Sequence, residues 1–155
     1  MDMMADIKEN VSDWKNESEC NDYLLKILKK EAHDRSGKIY GLGHAVYTKS
    51  DPRAIILKEK AKALAAQKGR EDELQLYLNI EKNGPDLFNE FKGSDKVISP
   101  NVDFFSGFVY DCLGIPSEIY TAMFACARAA GWSAHRIEEI LSGKRIIRPG
   151  YKFVE

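Results

Sequence analysis

The 155-residue sequence has few cysteines, no excess of either charge and no long apolar run. Cys20, Cys112 and Cys126 are odd in number and lack CxxC spacing, which favours buried, reduced thiols in the cytoplasm over disulfides or a metal site. The 23 basic and 24 acidic residues nearly cancel, so no overall positive field attracts nucleic acid or a membrane. No apolar run approaches the ~20 residues of a membrane span, and the first residues lack the features of a signal peptide. We expect a cytoplasmic protein without metal, nucleic-acid or membrane partners.

Apolar residues recur at helical spacing along most of the chain, while the alternation of a strand is almost absent. The sequence therefore predicts an all-α fold. Asp51-Pro52 predicts a helix start, because a capping side chain precedes a proline in the first helical position. The second helix has two candidate caps, Ser18 and Asn21. That helix would begin after Ser18 or Asn21 and stop before Gly37. The other predicted helices cover about residues 3–15, 52–68, 71–83, 85–91, 102–113, 116–130 and 134–141, with breaks at Pro85 and Gly131.

A glycine loop with the sequence GLGHAV occupies residues 41–46. It begins like a dinucleotide-binding fingerprint, but Val46 replaces the third glycine and no predicted strand leads into the loop. A Rossmann site is therefore rejected. The remaining interpretation is a loop whose backbone can approach a flat ligand closely, with His44 at its tip.

Three charged residues are candidates for a functional site, and two of them require a partner of opposite charge. Arg53 is in the first turn of a predicted helix, where the macrodipole disfavours a cation, so an anion is expected nearby. Arg128 is surrounded by small and apolar residues and needs either an internal carboxylate or a ligand carboxylate. Asp103 also lies at a helix start, where an acidic residue is explained by the dipole alone. None of these signals identifies a reaction by itself.

Together, the ordered motifs GLGHAVY, DPRA, PNVDFFSG, GIP, ARAAGWSAH and RPGY resemble the C-terminal part of citrate synthase. The resemblance runs over nearly the whole chain and implies a multi-helical, citrate synthase-like fold. It also implies condensation of acetyl-CoA with oxaloacetate, which gives citrate and free CoA. Residues 1–109 would form the small, CoA-binding domain, and residues 110–155 would be a returning segment of the large domain.

The resemblance assigns catalytic roles by position. Asp103 would remove a proton from the methyl group of the thioester, and His44 would bind the ketone oxygen of oxaloacetate and stabilise the alkoxide. Arg53 and Arg128 would clamp the oxaloacetate carboxylates, since a guanidinium engages a carboxylate bidentately. Arg148 would reach into the site of a neighbouring subunit, as expected for a homodimer.

CoA is a substrate and a product in this interpretation, and no cofactor is bound permanently. The loop from Ile39 to Val46 would recognise adenine, with Ile39, Gly41 and Ala45 in contact, and Lys96 would meet a CoA phosphate. Asn101 would complete the CoA site.

The family also needs a second catalytic histidine, and the surroundings of His33 (KEAHDRSG) do not resemble its motif. We therefore expect a fragment with little or no activity in isolation. Two alternatives stay open, a 2-methylcitrate synthase that uses propionyl-CoA and a non-catalytic module that binds CoA or assembles with other subunits. A pocket difference of one methylene is worth only ~1–3 kcal/mol, and no motif decides it.

Overall fold

The computed structural model describes residues 2–47 and 49–143. Within these residues the chain contains helices and no β-strand, which confirms the all-α class. The helices are α1 (Asp2–Asn10), α2 (Glu17–Leu28), α3 (Pro52–Lys68), α4 (Glu71–Lys92), α5 (Val102–Cys112) and α6 (Tyr120–Ser142), with a short 3-10 helix at Ser117–Ile119. None of them is long and apolar enough to cross a membrane. The chain divides into two compact units, residues 1–117 and 118–155.

An aromatic cluster forms the centre of the first unit, in which α3 packs on α5 and α2 packs on α4. Tyr77 on α4 contacts three phenylalanines of α5, and the ring centroids lie 5.7 Å from Phe104, 6.4 Å from Phe105 and 5.2 Å from Phe108. All four rings are buried. Because each large ring buries about 150–250 Å² of surface, this cluster is a major source of the apolar burial that holds α4 against α5.

Local capping explains where the helices begin and end. The Asp51 side chain accepts the Arg53 N–H at the start of α3, and Gly69 ends that helix with φ 64°, as the sequence predicts. The cap of α2 is Asn16, whose side chain accepts the N–H groups of Ser18 and Glu19. The expected caps Ser18 and Asn21 are wrong, because the helix already begins at Glu17.

The breaks expected at Pro85 and Gly131 are also wrong, since α4 and α6 continue through them. A proline inside a helix removes one backbone hydrogen bond. In α4 the loss is outweighed by an apolar stripe that keeps its spacing across Pro85, from Tyr77 and Ile80 to Phe88. Gly131 costs about 1 kcal/mol of helix stability relative to alanine. This cost is too small to end a helix that is rich in alanine.

A network of ion pairs joins three helices of the first unit at one end. Arg70, just before α4, donates to Glu73 through Nε and Nη2 at 2.8 and 2.6 Å and also pairs with Asp111 on α5. Lys8 on α1 pairs with the same Glu73 at 2.9 Å. The Arg70 guanidinium also lies 5.2 Å from the Phe108 ring centroid. The charges therefore compensate one another beside the aromatic cluster.

The described part of the second unit consists mainly of α6, in which no residue is buried. Trp132, Ile140 and Leu141 are among its exposed apolar side chains. Cys20 and Cys112 are buried as expected, but Cys126 is exposed. The expectation for Cys126 is wrong because the described residues of this unit form a single helix, which offers no second surface against which to bury it.

We expect Phe108→Ala to lower the free energy of unfolding by about 3–5 kcal/mol, because it empties a fully buried position between Tyr77 and Arg70. Phe91→Ala is the matched control, since Phe91 is exposed and the loss should stay within about 0.5 kcal/mol. Urea unfolding followed by near-UV circular dichroism measures both. Equal losses for the two variants would contradict the central place of the aromatic cluster.

Candidate functional site

A cavity of about 400 Å³ opens between the glycine loop and the start of α5. Its lining includes Ile39, Gly41, Lys96, Asn101 and Asp103, which the sequence analysis had already singled out. The remaining lining residues are Gly37, Lys38, Tyr40, Leu42, Gly43, Phe88 and Ile98. The cavity thus combines an apolar surface with two ammonium groups and one carboxylate, a composition typical of small-molecule binding sites.

Hydrogen bonds join the glycine loop to the segment that precedes α5. The Gly43 N–H donates to the Ser99 carbonyl, and the Asn101 N–H donates to the Gly41 carbonyl, both at 2.8 Å. The Asn101 side chain donates to the Gly43 carbonyl at 2.9 Å and accepts the Asp103 N–H at 2.9 Å. Asn101 is therefore both the N-cap of α5 and a clamp on the loop, so the cavity wall and the Asp103 helix keep a fixed relation.

Gly41 allows the loop to approach α5. Its φ is 86°, in the left-handed region, and a Cβ atom there would lie 2.7 Å from Phe104 Cδ2 and 3.0 Å from its Cα. Gly43 has a similar φ of 89°, but a Cβ atom would meet nothing within 4 Å. Both positions favour glycine for their backbone conformation, and Gly41 is also required for packing.

The ring of His44 is held by its own loop. Its Nδ1 accepts two backbone N–H groups, from Val46 at 2.9 Å and Tyr47 at 3.0 Å. A nitrogen that accepts hydrogen bonds carries no proton, so the neutral ring has its proton on Nε2. The ring also lies against Tyr47, with centroids 4.7 Å apart. In this tautomer Nε2 carries an N–H donor, so its 3.4 Å contact with the Arg53 guanidinium, which also has only donors, is not a hydrogen bond.

The position of Arg53 in the first turn of α3 predicts an anion nearby, and that anion is Asp51. The guanidinium donates to Asp51 through Nε at 3.0 Å and Nη2 at 2.8 Å, and its Nη2 lies 3.4 Å from His44 Nε2. The hydrogen bond from Arg53 is the main reason that the pKa of Asp51 is lowered. The bond to Asp51 likewise raises the pKa of Arg53, with a contribution from the charge of Asp103. Arg53 thus lies beside the His44 ring and within reach of the charge of Asp103.

Three other predicted site residues are not among the described residues that line the cavity. Ala45 is exposed and does not line the cavity. Arg128 lies on α6 in the second unit, where it is exposed and its guanidinium is 5.8 Å from the Phe124 ring centroid. Among the described residues no carboxylate pairs with Arg128, so the alternative of an internal acidic partner is not realised there. Arg148 lies outside the described residues.

Sequence reasoning missed four residues of the cavity, Gly37, Lys38, Phe88 and Ile98. Gly37 and Lys38 directly precede Ile39, so adjacency to the loop was the available signal. Phe88 comes from α4 and only the tertiary structure brings it to the loop. Asp51 was recognised as a helix cap, but its bonds to the Arg53 side chain were not foreseen. No cluster of three or more metal-ligating side chains occurs in residues 2–47 and 49–143.

Comparison with known proteins identifies the family. The family model described as citrate synthase, C-terminal domain, matches residues 1–150. A citrate synthase from Synechocystis sp. is 46% identical over 112 residues, which are 72% of this chain and 27% of that protein. A 2-methylcitrate synthase from Shewanella oneidensis is 36% identical over 146 residues, covering 94% of this chain and 35% of the relative. The chain thus spans about a third of the length of these relatives.

Solved structures show the same similarity. A citrate synthase from Thermoplasma acidophilum, solved as a ternary complex with carboxymethyl coenzyme A and oxaloacetate, is 33% identical, with a TM-score of 0.67. The match covers 98% of this chain and 37% of that one. A citrate synthase from Thermotoga maritima is 31% identical with a TM-score of 0.68, over 99% of this chain and 38% of the other.

We expect Gly41→Ala to destabilise the chain by about 1–3 kcal/mol more than Gly43→Ala, because only the first adds a clash to the strained φ. Urea unfolding of both variants gives the difference. The pair is matched, since the two glycines have nearly the same φ in the same loop. Equal losses of unfolding free energy in Gly43→Ala and Gly41→Ala would show that backbone strain, and not the close approach to Phe104, determines the need for glycine in this loop.

Proposed function

The chain belongs to the citrate synthase family, and from this premise we propose that it contributes the CoA site and the catalytic base to the condensation of acetyl-CoA with oxaloacetate. The observation that carries the proposal is the cavity in which Ile39, Gly41, Lys96, Asn101 and Asp103 come together. These residues are assigned to CoA binding and proton abstraction by resemblance, and they come from separate segments of the sequence. Their convergence in one cavity is what a CoA site with a nearby base requires.

We propose that the adenine of CoA lies against the apolar part of the cavity, near Ile39, Phe88 and Ile98. Backbone groups of the glycine loop are close enough to contact a flat ring because Gly41 and Gly43 carry no side chain. Lys38 and Lys96, both exposed on the cavity lining, supply charge for the phosphates. We also propose that Ala45, a residue of the same loop, contacts the adenine through its backbone.

The chemistry of the proposed reaction assigns a step to each charged group. The Asp103 carboxylate takes a proton from the α-carbon of the thioester, and the resulting enolate carbon attacks the ketone carbon of oxaloacetate. The ketone oxygen becomes an alkoxide, toward which His44 donates its Nε2–H. Water then cleaves the thioester of the citryl-CoA, which releases citrate and CoA. Arg53, Arg128 and Arg148 are proposed to hold the oxaloacetate carboxylates.

We further propose that the 155 residues alone do not complete this reaction. The enolate oxygen needs a hydrogen-bond donor, and neither of the other two histidines is among the residues that line the cavity. The His33 ring makes an edge contact with Tyr40 at 5.9 Å, and His135 is an exposed residue of α6 beside Glu138. Full activity is proposed for a homodimer in which Arg148 serves the neighbouring subunit. A cytoplasmic location is supported by the three free thiols.

Two alternatives are compatible with the site. The similarity to a 2-methylcitrate synthase of Shewanella oneidensis favours propionyl-CoA as a second candidate substrate. The extra methylene changes binding by only about 1–3 kcal/mol, so competition between the two thioesters in the assembled enzyme decides between them. A non-catalytic CoA-binding module would keep the cavity and have no use for Asp103 as a base.

We expect the wild-type chain to bind CoA in a calorimetric titration and Lys96→Ala to weaken that binding by about fivefold to tenfold, as for the loss of one phosphate contact. The effect should shrink as salt is added, because the contact is electrostatic and exposed. Lys92→Ala is the matched control, since Lys92 is a nearby exposed lysine that contacts Phe91 and does not line the cavity. A wild-type chain that binds no CoA would overturn the proposed function.

Asp103→Asn separates the enzyme from the binding module. We expect the variant to bind CoA within about twofold of wild type, because the asparagine keeps the size of the side chain while removing the charge. In the same variant we expect the loss of any deuterium exchange into the methyl group of acetyl-CoA, measured by NMR with oxaloacetate present. Exchange that persists without the carboxylate would exclude Asp103 as the base.

A further inference from the structure

Asp51 makes more hydrogen bonds than a helix cap needs. Its side chain is fully buried, and its Oδ1 accepts the Arg53 N–H and Nε–H, each at 3.0 Å. Its Oδ2 accepts the Arg53 Nη2–H at 2.8 Å and the Val102 N–H at 3.1 Å. Capping of α3 accounts only for the first of these bonds. The other bonds tie down a side chain and the start of a second helix.

Burial of a carboxylate is energetically unfavourable if the side chain serves only as a helix cap. Taking a charge out of water is unfavourable unless it is paired, and a neutral asparagine or serine caps a helix as well as an aspartate. The charge is therefore explained by the Arg53 side chain, to which Asp51 is bound through both of its oxygens.

The pairing fixes which edge of the Arg53 guanidinium is occupied within the chain and which edge remains for another partner. A guanidinium has two edges that can grip a carboxylate, one formed by Nε with a terminal nitrogen and one formed by the two terminal nitrogens. Asp51 occupies the Nε and Nη2 edge. The Tyr47 ring centroid lies 5.7 Å from the guanidinium carbon. The remaining edge is formed by Nη1 and Nη2. Its Nη2 lies 3.4 Å from His44 Nε2, and the Arg53 side chain is 38% exposed.

The same carboxylate reaches the helix that carries Asp103. Val102, whose N–H binds Asp51 Oδ2, is the first residue of α5, and Asp103 is the next. Asn101 caps the same turn from the other side of the chain through the Asp103 N–H. Asp51 therefore links the first turn of α3, where Arg53 lies, to the first turn of α5, where Asp103 lies.

We propose that Asp51 is a positioning residue, which turns the Nη1 and Nη2 edge of Arg53 toward a ligand carboxylate and holds that edge in register with Asp103. The proposal rests on the proposed function, because the ligand is the dicarboxylate oxaloacetate. It adds that Arg53 works with two partners at once, the internal carboxylate on one edge and the ligand on the other. A lysine has no second edge and cannot replace it.

The test uses the complete 155-residue chain and the variant Asp51→Asn, which keeps an acceptor for the Arg53 N–H and removes the charge. The first readout is the NMR signal of the Arg53 Nε–H, assigned by its absence in Arg53→Lys. We expect this proton to exchange slowly with solvent in wild type and at least about tenfold faster in Asp51→Asn, because its charged acceptor is gone. Asn16→Ala is the matched control, since it removes a cap from α2 and leaves Arg53 untouched.

The second readout separates the two ligands. Titration with oxaloacetate and then with CoA, followed by the same NMR spectra, should show at least about tenfold weaker oxaloacetate binding in Asp51→Asn with CoA affinity within about twofold. A general loss of structure would weaken the binding of both ligands together. Should Asp51→Asn not fold, Arg53→Lys serves as the second variant, with the same expected split between the ligands.

The outcomes are distinguishable. If the Arg53 Nε–H still exchanges slowly in Asp51→Asn, the positioning role is overturned, whatever the ligand affinities are. Equal affinity of wild type and Asp51→Asn for oxaloacetate overturns it as well. Equal oxaloacetate binding by wild type and Arg53→Lys overturns the need for two edges. Absence of CoA binding in wild type contradicts the proposed function instead, and the exchange rate of Arg53 still decides the role of Asp51 in that case.

Discussion

The candidate site depends on a joint between two helix starts and one loop. Asn101 caps α5 and clamps the glycine loop, while Asp51 caps α3 and also binds the start of α5. Each side chain satisfies backbone groups that a helix terminus or a loop would otherwise leave without partners. The joint is built from two short polar side chains, Asp51 in a fully buried position and Asn101 in a partly buried one, so its hydrogen bonds are protected from competition with water. His44, Arg53 and Asp103 all lie within three residues of it in the sequence.

The helices behind this joint act as a support. Tyr77 on α4 and the phenylalanines of α5 form an apolar contact that fixes the axis of α5. Phe104 belongs both to this cluster and to the surface against which Gly41 packs. The core and the cavity wall therefore share a side chain. Polar groups are held at the helix starts, where backbone N–H groups and the macrodipole favour anionic ligands.

Local chemistry made much of this predictable. The all-α class followed from apolar spacing, and the start of α3 followed from Asp51-Pro52, because both signals act over a few residues. The expected breaks at Pro85 and Gly131 failed for the opposite reason. Propensity assigns each of them a local cost, whereas the apolar stripe that carries α4 through Pro85 gains its energy from distant partners. Similarly, Cys126 was expected to be buried from its residue type alone, without regard to which surfaces surround it.

The sequence by itself determined the residue types of the site, their order and the family to which the chain belongs, since each motif is a short local pattern. Only the tertiary structure decided which of these residues meet. Loop closure brings Lys96 and Asn101 to Gly41, and helix packing adds Phe88 from α4 to the same cavity. It also decided that the partner of Arg53 within the chain is Asp51, and that this carboxylate reaches Val102, 51 positions later. Such contacts depend on the three-dimensional path of the chain, which residue spacing does not encode.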